Sequence, residues 1–415
     1  MELSYRNADA LVRGIGGPSA ERLGAFVGSL IAQQYSVSYV CQLAHHALAF
    51  GRWCEARDLS LNALSDDHIA RYQRTRWRRR SRCSETRRRE LHALELLLGF
   101  WRGQGVCPVA QANASAAADV VEGFARYLQR DHGLADATVD GYTRTARRFL
   151  DWRFGQGEVC LHNLRVTDGV GFVQREAQRL APAAVKTVVN ALRSFLRYGQ
   201  FRGEIVAGLA AGVPAVATWA TTPPIPRAIS AEHAQGAIDS CDHHTAVGRR
   251  DRAVLLLLAR LGLRACEIIR LTLDDIDWDR AQLRVHGKGG RQSLLPLPAD
   301  VGAAIAAYLE HGRPACADRH LFLRSVAPIR ALMEGSDGVG TIVRHALNRA
   351  KVDAPHRGSH QFRHALAVRM LQHGASLPEI GQVLRHRSPQ STSIYAKVDL
   401  DALRTLVMAW PGDAP

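Results

Sequence analysis

The chain has 415 residues, 47% of them hydrophobic and 22% charged, enough apolar content to bury two or three domain cores. Its 54 Lys and Arg against 39 Asp and Glu leave a formal charge of +15, which excludes an acidic or neutral surface and points to a polyanionic partner, either nucleic acid or an anionic membrane face. No window approaches the ~18 unbroken apolar residues of a spanning helix, since Arg252 and Arg260 bracket the most apolar run, Ala253–Ala259. Met1–Arg22 carries Glu2, Asp9 and Glu21 without an apolar core, so no signal peptide is expected. The 8 Cys are scattered with no C-x-x-C pair, as expected of a cytoplasmic, nucleoid-associated protein with reduced and mostly buried thiols.

Apolar residues recur at three- and four-residue spacing through the first 210 residues, which predicts an almost wholly helical region. Ala25–Ile31 opens one helix and Leu43–Trp53 makes a second. Ser65-Asp66-Asp67 reads as the cap of a third, and Glu90–Trp101, stopped by Gly103, is a fourth. The pattern then recurs. Phe50-x-x-Trp53 matches Phe149-x-x-Trp152 at an offset of 99, Leu61-x-x-Leu64 matches Leu161-x-x-Leu164 at 100, and Ala93-Leu94-x-x-Leu97-Leu98 matches Ala191-Leu192-x-x-Phe195-Leu196 at 98. Three patterns in one order at nearly one offset predict two copies of a four-helix module, 1–113 and 114–210.

Residues 211–229 hold four prolines and few charges, the composition of a linker. After it, Ser230 caps a helix with Glu232 in its first turn, and Arg252–Leu261 is a strongly apolar helix. Asp277–Arg280 reads as a turn. Gln282–His286 and Gln292–Leu297 read as a hairpin closed by Gly287-Lys288-Gly289-Gly290. From Val301 to Met408 the pattern is mostly helical. The predicted fold is therefore mainly α, with an α+β C-terminal domain over 230–415.

The polar residues of that domain carry the chemistry. Arg264 follows the apolar helix, Lys288 tips the hairpin, and His360 and Arg363 form H-Q-F-R. His386 lies in Leu384-Arg385-His386, and Tyr395 follows nine residues later. Each alone has a bland reading, a surface charge or a packed ring. Together they are what phosphodiester chemistry without a metal needs. Lys288 is the most telling of them, because only four of the 54 basic residues are Lys. His360 and His364 have the i, i+4 spacing of a zinc pair, but no H-E-x-x-H glutamate and no third ligand accompany them, so no metal is expected.

In this order and with these phrases, residues 226–410 resemble the catalytic domain of the tyrosine recombinase (phage integrase) family. Leu263-Arg264-x-x-Glu267 resembles its first-arginine box, Gly287-Lys288-Gly289 its lysine hairpin, and Ile225–Ser230 the phrase that opens the domain. The module at 119–205 resembles the family's helical core-binding domain. Two positions depart from the usual pattern: Phe362 stands for Leu in H-x-L-R, and Arg385 stands for Gly before the second histidine. An Arg there is strained if that Gly has positive φ, which makes the placement of His386 the point to check.

The resemblance implies a tyrosine recombinase fold with helical N-terminal modules that clamp DNA, and a site-specific recombinase that needs neither metal, ATP nor any other cofactor. Tyr395 is the expected nucleophile, forming a 3′-phosphotyrosyl link. Arg264 and Arg363 offer planar donor forks to the non-bridging oxygens, where one removed donor costs ~2.7–4 kcal/mol. His360 is the expected base, Lys288 the expected acid on the 5′ oxygen, and His386 a donor to the phosphate. Glu267, one turn from Arg264, is expected to orient it.

Ten Arg crowd residues 71–89, too many like charges for a merely solvated run, so Arg74, Arg76, Arg78, Arg79 and Arg80 are expected on DNA phosphates. Arg144, Arg147, Arg148, Lys186 and Arg193 are expected to hold the backbone from the second module. The amphipathic stretch Asp399–Trp410 is expected to dock in trans within a homotetramer on a specific double-stranded DNA site, with accessory or sister recombinases as further partners and no membrane. Integration, excision or transposition of a mobile element is the leading role. Dimer resolution, a topoisomerase, and a catalytically silent DNA-binding regulator of the same fold are the alternatives, and the complete six-residue set speaks against the last.

Overall fold

A computed structural model describes residues 18–77, 84–108, 116–155, 157–215, 228–287, 290–333, 338–354 and 356–398. Of these, the residues between Trp53 and Thr222 form one compact unit and the remainder another. Among the described residues no helix is long and apolar enough to cross a membrane.

Among the described residues, the long helices of the N-terminal half are α1 (Pro18–Ala32), α2 (Val37–Glu55), α3 (Asp66–Trp77), α4 (Ser84–Gly103), α5 (Ala116–Arg130), α6 (Asp136–Phe154), α7 (Val166–Ala177) and α8 (Pro182–Phe201). The first four are 15, 19, 12 and 20 residues long, and the next four repeat those lengths in order. A single 3-10 turn, Leu61–Ala63 and then Leu161–Asn163, falls between the second and third helix each time. Equivalent apolar positions are buried in both, Phe50 with Phe149 and Leu94 with Leu192.

The core of α5–α8 is aromatic. Phe124 meets Phe195 edge-on at 5.3 Å, and Phe149 meets Phe172 in the same way at 5.3 Å. The short helix α9 (Leu209–Gly212) closes this bundle.

The expected DNA contacts here divide by what they touch. Arg148 bonds the buried carboxylate of Glu176 at 2.8 Å, and Arg179 takes its other oxygen at 3.2 Å. Arg193 donates to the Val213 carbonyl at 2.7 Å. Arg76 reaches the Tyr72 hydroxyl at 2.5 Å and the buried Glu90 at 3.2 Å. Arg74, Arg144, Arg147 and Lys186 are exposed. Arg78, Arg79 and Arg80 lie outside the described residues.

After the linker, the Ser230 hydroxyl accepts the His233 amide at 3.1 Å and starts α10 (Ala231–Asp239). The helix α11 (Ala246–Leu261) buries five consecutive residues, Val254 to Leu258, as a helix covered on all sides must. It packs against α13 (Ala299–His311), α14 (Val339–Arg349) and α15 (His360–Gln372). A three-stranded antiparallel sheet in the order β1 (Ile276–Asp277), β2 (Gln282–His286), β3 (Gln292–Pro296) lies beside α12 (Ala265–Arg270). Leu283 opposite Leu295 sets its register, and Leu283 and Val285 face the core while Arg284 faces out.

Three expectations need correction. Ile276–Asp277 begins a strand rather than a turn, which occupies the residues after it. No helix forms between His311 and Val339 among the described residues. Pro314 and Pro328 supply no N–H there, and the segment is instead pinned by carbonyl contacts such as Leu321 N to Leu271 O at 2.8 Å. Finally, of the described cysteines only Cys54, Cys107 and Cys241 are buried, and Cys316 is exposed.

The division of the arginines is testable. Replacing Arg148 with Ala strips a buried carboxylate of one partner and should lower stability by about 1–3 kcal/mol, read from the thermal midpoint. Arg147→Ala should leave that midpoint unchanged.

Candidate active site

The site begins where α11 ends. Gly262 takes φ 57°, and a Cβ there would sit 2.8 Å from Leu384 and 3.0 Å from Leu366, so only glycine can turn the chain this tightly. Two residues on, Arg264 flanks the start of α12. Its amide donates to Glu267 Oε2 at 2.9 Å and its Nη1 to Glu267 Oε1 at 2.7 Å. Glu267 is 1% exposed, so the guanidinium is held by a carboxylate that cannot turn to water.

Arg363 comes from the first turn of α15 and is 3% exposed. Its Nη1 and Nη2 donate to the carbonyls of Gly262 and Leu384, which end α11 and α16 (Leu377–Val383). Helix C-termini leave such carbonyls unmatched, and here one side chain takes two of them.

Arg385 follows directly, at φ 54°. A non-glycine residue in this left-handed region is strained by roughly 1–2 kcal/mol. Three contacts offset the strain: Nη2 to Glu267 Oε2 at 3.0 Å, and Nη1 to the carbonyls of Val383 at 3.2 Å and Leu261 at 3.4 Å. The residue that departs from the usual glycine thus adds a third guanidinium beside Arg264 and Arg363. The strain does not displace His386, whose amide bonds Gly381 O at 2.9 Å and whose Nδ1 lies 2.6 Å from Thr392 Oγ1.

Tyr395 sits in the 3-10 segment Ser393–Val398 and is 1% exposed. Its ring stacks on His386 at 6.4 Å and 6°. Its hydroxyl is hydrogen-bonded to His364 Nδ1 at 2.8 Å. His360 lies one turn before His364 on α15, with the two rings 6.3 Å apart. The structure thus brings Arg264, Arg363, His386 and Tyr395 together, with His360 at the edge. Lys288 lies outside the described residues. The stem of its hairpin is anchored by His286, whose Nε2 is 2.8 Å from the buried Asp275.

Charge shapes every titration here. Burial, then Arg264 and Arg385, brings Arg363 down to about 10, still cationic at neutral pH. Burial, then Arg363 and Arg264, pushes His386 down to about 4. His360 is lowered by burial, Arg363 and Arg264, and His364 by burial, His360 and Arg363. Burial raises Tyr395 while Arg363 pulls the other way. At neutral pH the arrangement is three guanidiniums, three neutral imidazoles and a protonated phenol. It can bind a phosphodiester oxygen pair and offer a nucleophile to its phosphorus.

Two residues of this site escape a reading of spacing. His364 enters there only as half of a zinc pair, and Arg385 only as a departure. No spacing marks His364: it follows Arg363 directly, about 100° further round α15, and its partner Tyr395 is what distinguishes it. For Arg385 the signal is a cation in a place suited to positive φ, which needs a buried anion to hold it.

The family model described as "Phage integrase family" matches residues 228–401. The protein y4rA of Sinorhizobium fredii, named as an integrase/recombinase, is 44% identical over 414 residues, 99% of this chain and 99% of that protein. The tyrosine recombinase XerC of Oceanobacillus iheyensis is 28% identical over 297 residues, 69% of this chain and 94% of that protein. Among solved structures, the post-cleavage complex of the XerH site-specific recombinase with a palindromic difH substrate superposes with a TM-score of 0.54 at 16% identity, over 71% of this chain and 97% of that one. This last likeness establishes the fold.

Burial raises the Glu267 carboxyl, but the Arg264 amide and the guanidiniums of Arg385 and Arg264 outweigh it and hold it below the usual range. Its stabilisation is therefore complete above the ordinary glutamate value of ~4.3 and is lost as pH falls through the lower folded value. Thermal melts of the native chain and Glu267→Gln should separate above about pH 5 and converge in stronger acid. The same variant, freeing two guanidiniums, should slow DNA cleavage about 10–100-fold with DNA binding retained in a gel-shift assay.

Proposed function

The chain belongs to the phage integrase family, and on that premise we propose that it is a site-specific DNA recombinase acting in integration, excision or transposition of a mobile element. The observation that carries the proposal is the convergence of Arg264, Arg363, His386 and a buried Tyr395 hydroxyl from four separate segments. Family membership alone does not require the complete set, and a silent regulator would have no use for it.

The chemistry follows from the geometry. A phosphodiester is anionic, and its pentavalent transition state concentrates charge on the non-bridging oxygens. Arg264 and Arg363 retain N–H groups beyond those bound to Glu267 and to the backbone, and these face that charge. In the tautomer whose Nδ1 accepts the Thr392 hydroxyl, His386 carries its proton on Nε2 and donates it to the same oxygens. Tyr395 attacks phosphorus, the bond to the 5′ oxygen breaks, and Lys288 supplies the proton that this oxygen needs. The products are a 3′-phosphotyrosyl link and a free 5′-hydroxyl. The link keeps the bond energy, so a second 5′-hydroxyl can reverse the step on a new partner strand without ATP.

For the grip on DNA, the exposed Arg74, Arg144, Arg147 and Lys186 serve as phosphate contacts, joined by Arg78, Arg79 and Arg80. The assembly is a homotetramer on double-stranded DNA, with the C-terminal segment Asp399–Trp410, outside the described residues, as its coupling element.

Covalent trapping tests the proposal. Protein incubated with nicked genomic DNA from its host and then denatured should carry DNA fragments sharing one sequence with inverted arms. Tyr395→Phe should bind the same DNA and carry none. Adducts of random sequence would instead indicate a topoisomerase, and absence of adducts would return the regulator reading.

A further inference from the structure

We infer that His364 is the proton acceptor for Tyr395 in strand cleavage, a catalytic residue beyond the six that the motif pattern supplies; the inference rests on the recombinase reading above. The hydroxyl of the nucleophile carries one proton, and among the described residues the side chain bonded to it is His364, whose Nδ1 is 2.8 Å from Oη. The ring meets Tyr395 edge-on, with centroids 5.7 Å apart and planes at 61°, so a ring nitrogen rather than the ring face meets the hydroxyl, and in the tautomer with its proton on Nε2 the Nδ1 lone pair accepts there. His360, the acceptor expected from the motif, has no such bond. It sits a helical turn away with its ring 6.3 Å from that of His364, a distance that leaves it free to serve the phosphate.

The environment suits a base. The groups that act on His364 are His360 and Arg363 from its own helix, and Tyr395 and His386 from the chain after α16. None is a carboxylate. Glu267, the buried acid of the site, is occupied by Arg264 and Arg385. Among the described residues nothing therefore stabilises an imidazolium in the resting enzyme, and His364 waits neutral to receive a proton at Nδ1. Binding the phosphodiester adds the negative charge that makes the imidazolium favourable, so the base gains strength only when substrate is in place.

The step balances. As Oη forms its bond to phosphorus, its proton passes to His364 Nδ1. The bond from phosphorus to the 5′ oxygen breaks, and that oxygen is protonated by the acid. On religation the phenolate leaves phosphorus and recovers its proton from His364. Each turnover returns the imidazole to its starting form, which a reversible exchange of strands requires.

The test uses the full chain and the target DNA recovered by trapping, in two versions. One has the natural 5′ bridging oxygen, and the other has sulfur in its place, a leaving group that needs no acid. His364→Gln keeps a hydrogen-bond acceptor for the phenol but removes the base. It should cleave both substrates about 100-fold more slowly, with a rate that climbs with pH as hydroxide takes over, and added imidazole should partly restore His364→Ala. An acid variant, Lys288→Ala, should recover on the sulfur substrate only. His360→Gln removes one of the groups that lower His364, so it should keep the alkaline plateau of the native protein and move the limb below it to higher pH. In the native chain, nitrogen NMR of the histidines should show His364 Nδ1 unprotonated and hydrogen-bonded, a readout that needs no variant. Cleavage by His364→Gln at the native rate or faster would make the contact a latch and overturn the inference, as would loss of the alkaline plateau in His360→Gln with its retention in His364→Gln. Absence of adducts from the native protein would overturn the recombinase reading itself and this inference with it.

Discussion

One buried carboxylate organises the catalytic unit. Glu267 receives the amide and guanidinium of Arg264 and the guanidinium of Arg385, and its burial closes it to water. Three guanidiniums within one pocket repel each other strongly once they are withdrawn from solvent, and without an anion among them the cluster would splay apart. With Glu267 in place the pocket keeps a net positive charge, and it keeps that charge in fixed directions. Preorganisation of this kind is what makes a donor effective toward a developing oxyanion, because no reorientation remains to be done when the charge appears.

The same electrostatics sets the resting state of everything nearby. Burial and then the neighbouring charges suppress protonation of His360, His364 and His386, and burial keeps the Tyr395 phenol from ionising. A phenolate formed in advance would be a hazard in an enzyme that breaks chromosomes. Under the mechanism proposed above, a buried, protonated Tyr395 held by a neutral imidazole is inert until a phosphate arrives to neutralise the guanidiniums. Substrate binding and activation of the nucleophile are thereby one event, driven by one change in local charge.

Much of this was legible in the sequence, and the exceptions share a cause. The helical modules were readable because their apolar period is long and repeated, and the hairpin because Gly287–Gly290 interrupts two alternating runs. Arg264, Arg363, His386 and Tyr395 were readable because they stand in recognised phrases. Arg385 and His364 were not, because their meaning lies in partners far off in the chain. Arg385 is explained by Glu267, 118 positions away, and His364 by Tyr395, 31 positions away. The segment after His311 was misread for a related reason: its backbone bonds are made with the chain near Leu271, and no local period announces them.

The arginines of the helical modules show the same limit in a form that bears on function. A count of basic residues treats Arg147 and Arg148 alike, but one faces solvent and the other closes over Glu176. Arg193 likewise caps the chain at Val213, and Arg76 covers Glu90. A positive charge on a surface is therefore divided between binding a polyanion and neutralising the protein's own buried acids. The share left for DNA is smaller than the composition implies, and it is concentrated at positions whose side chains meet no carboxylate. Exposed cations of this kind gain most from releasing counterions, so the affinity of such a surface falls steeply as salt rises, while arginines paired with buried carboxylates are screened much less.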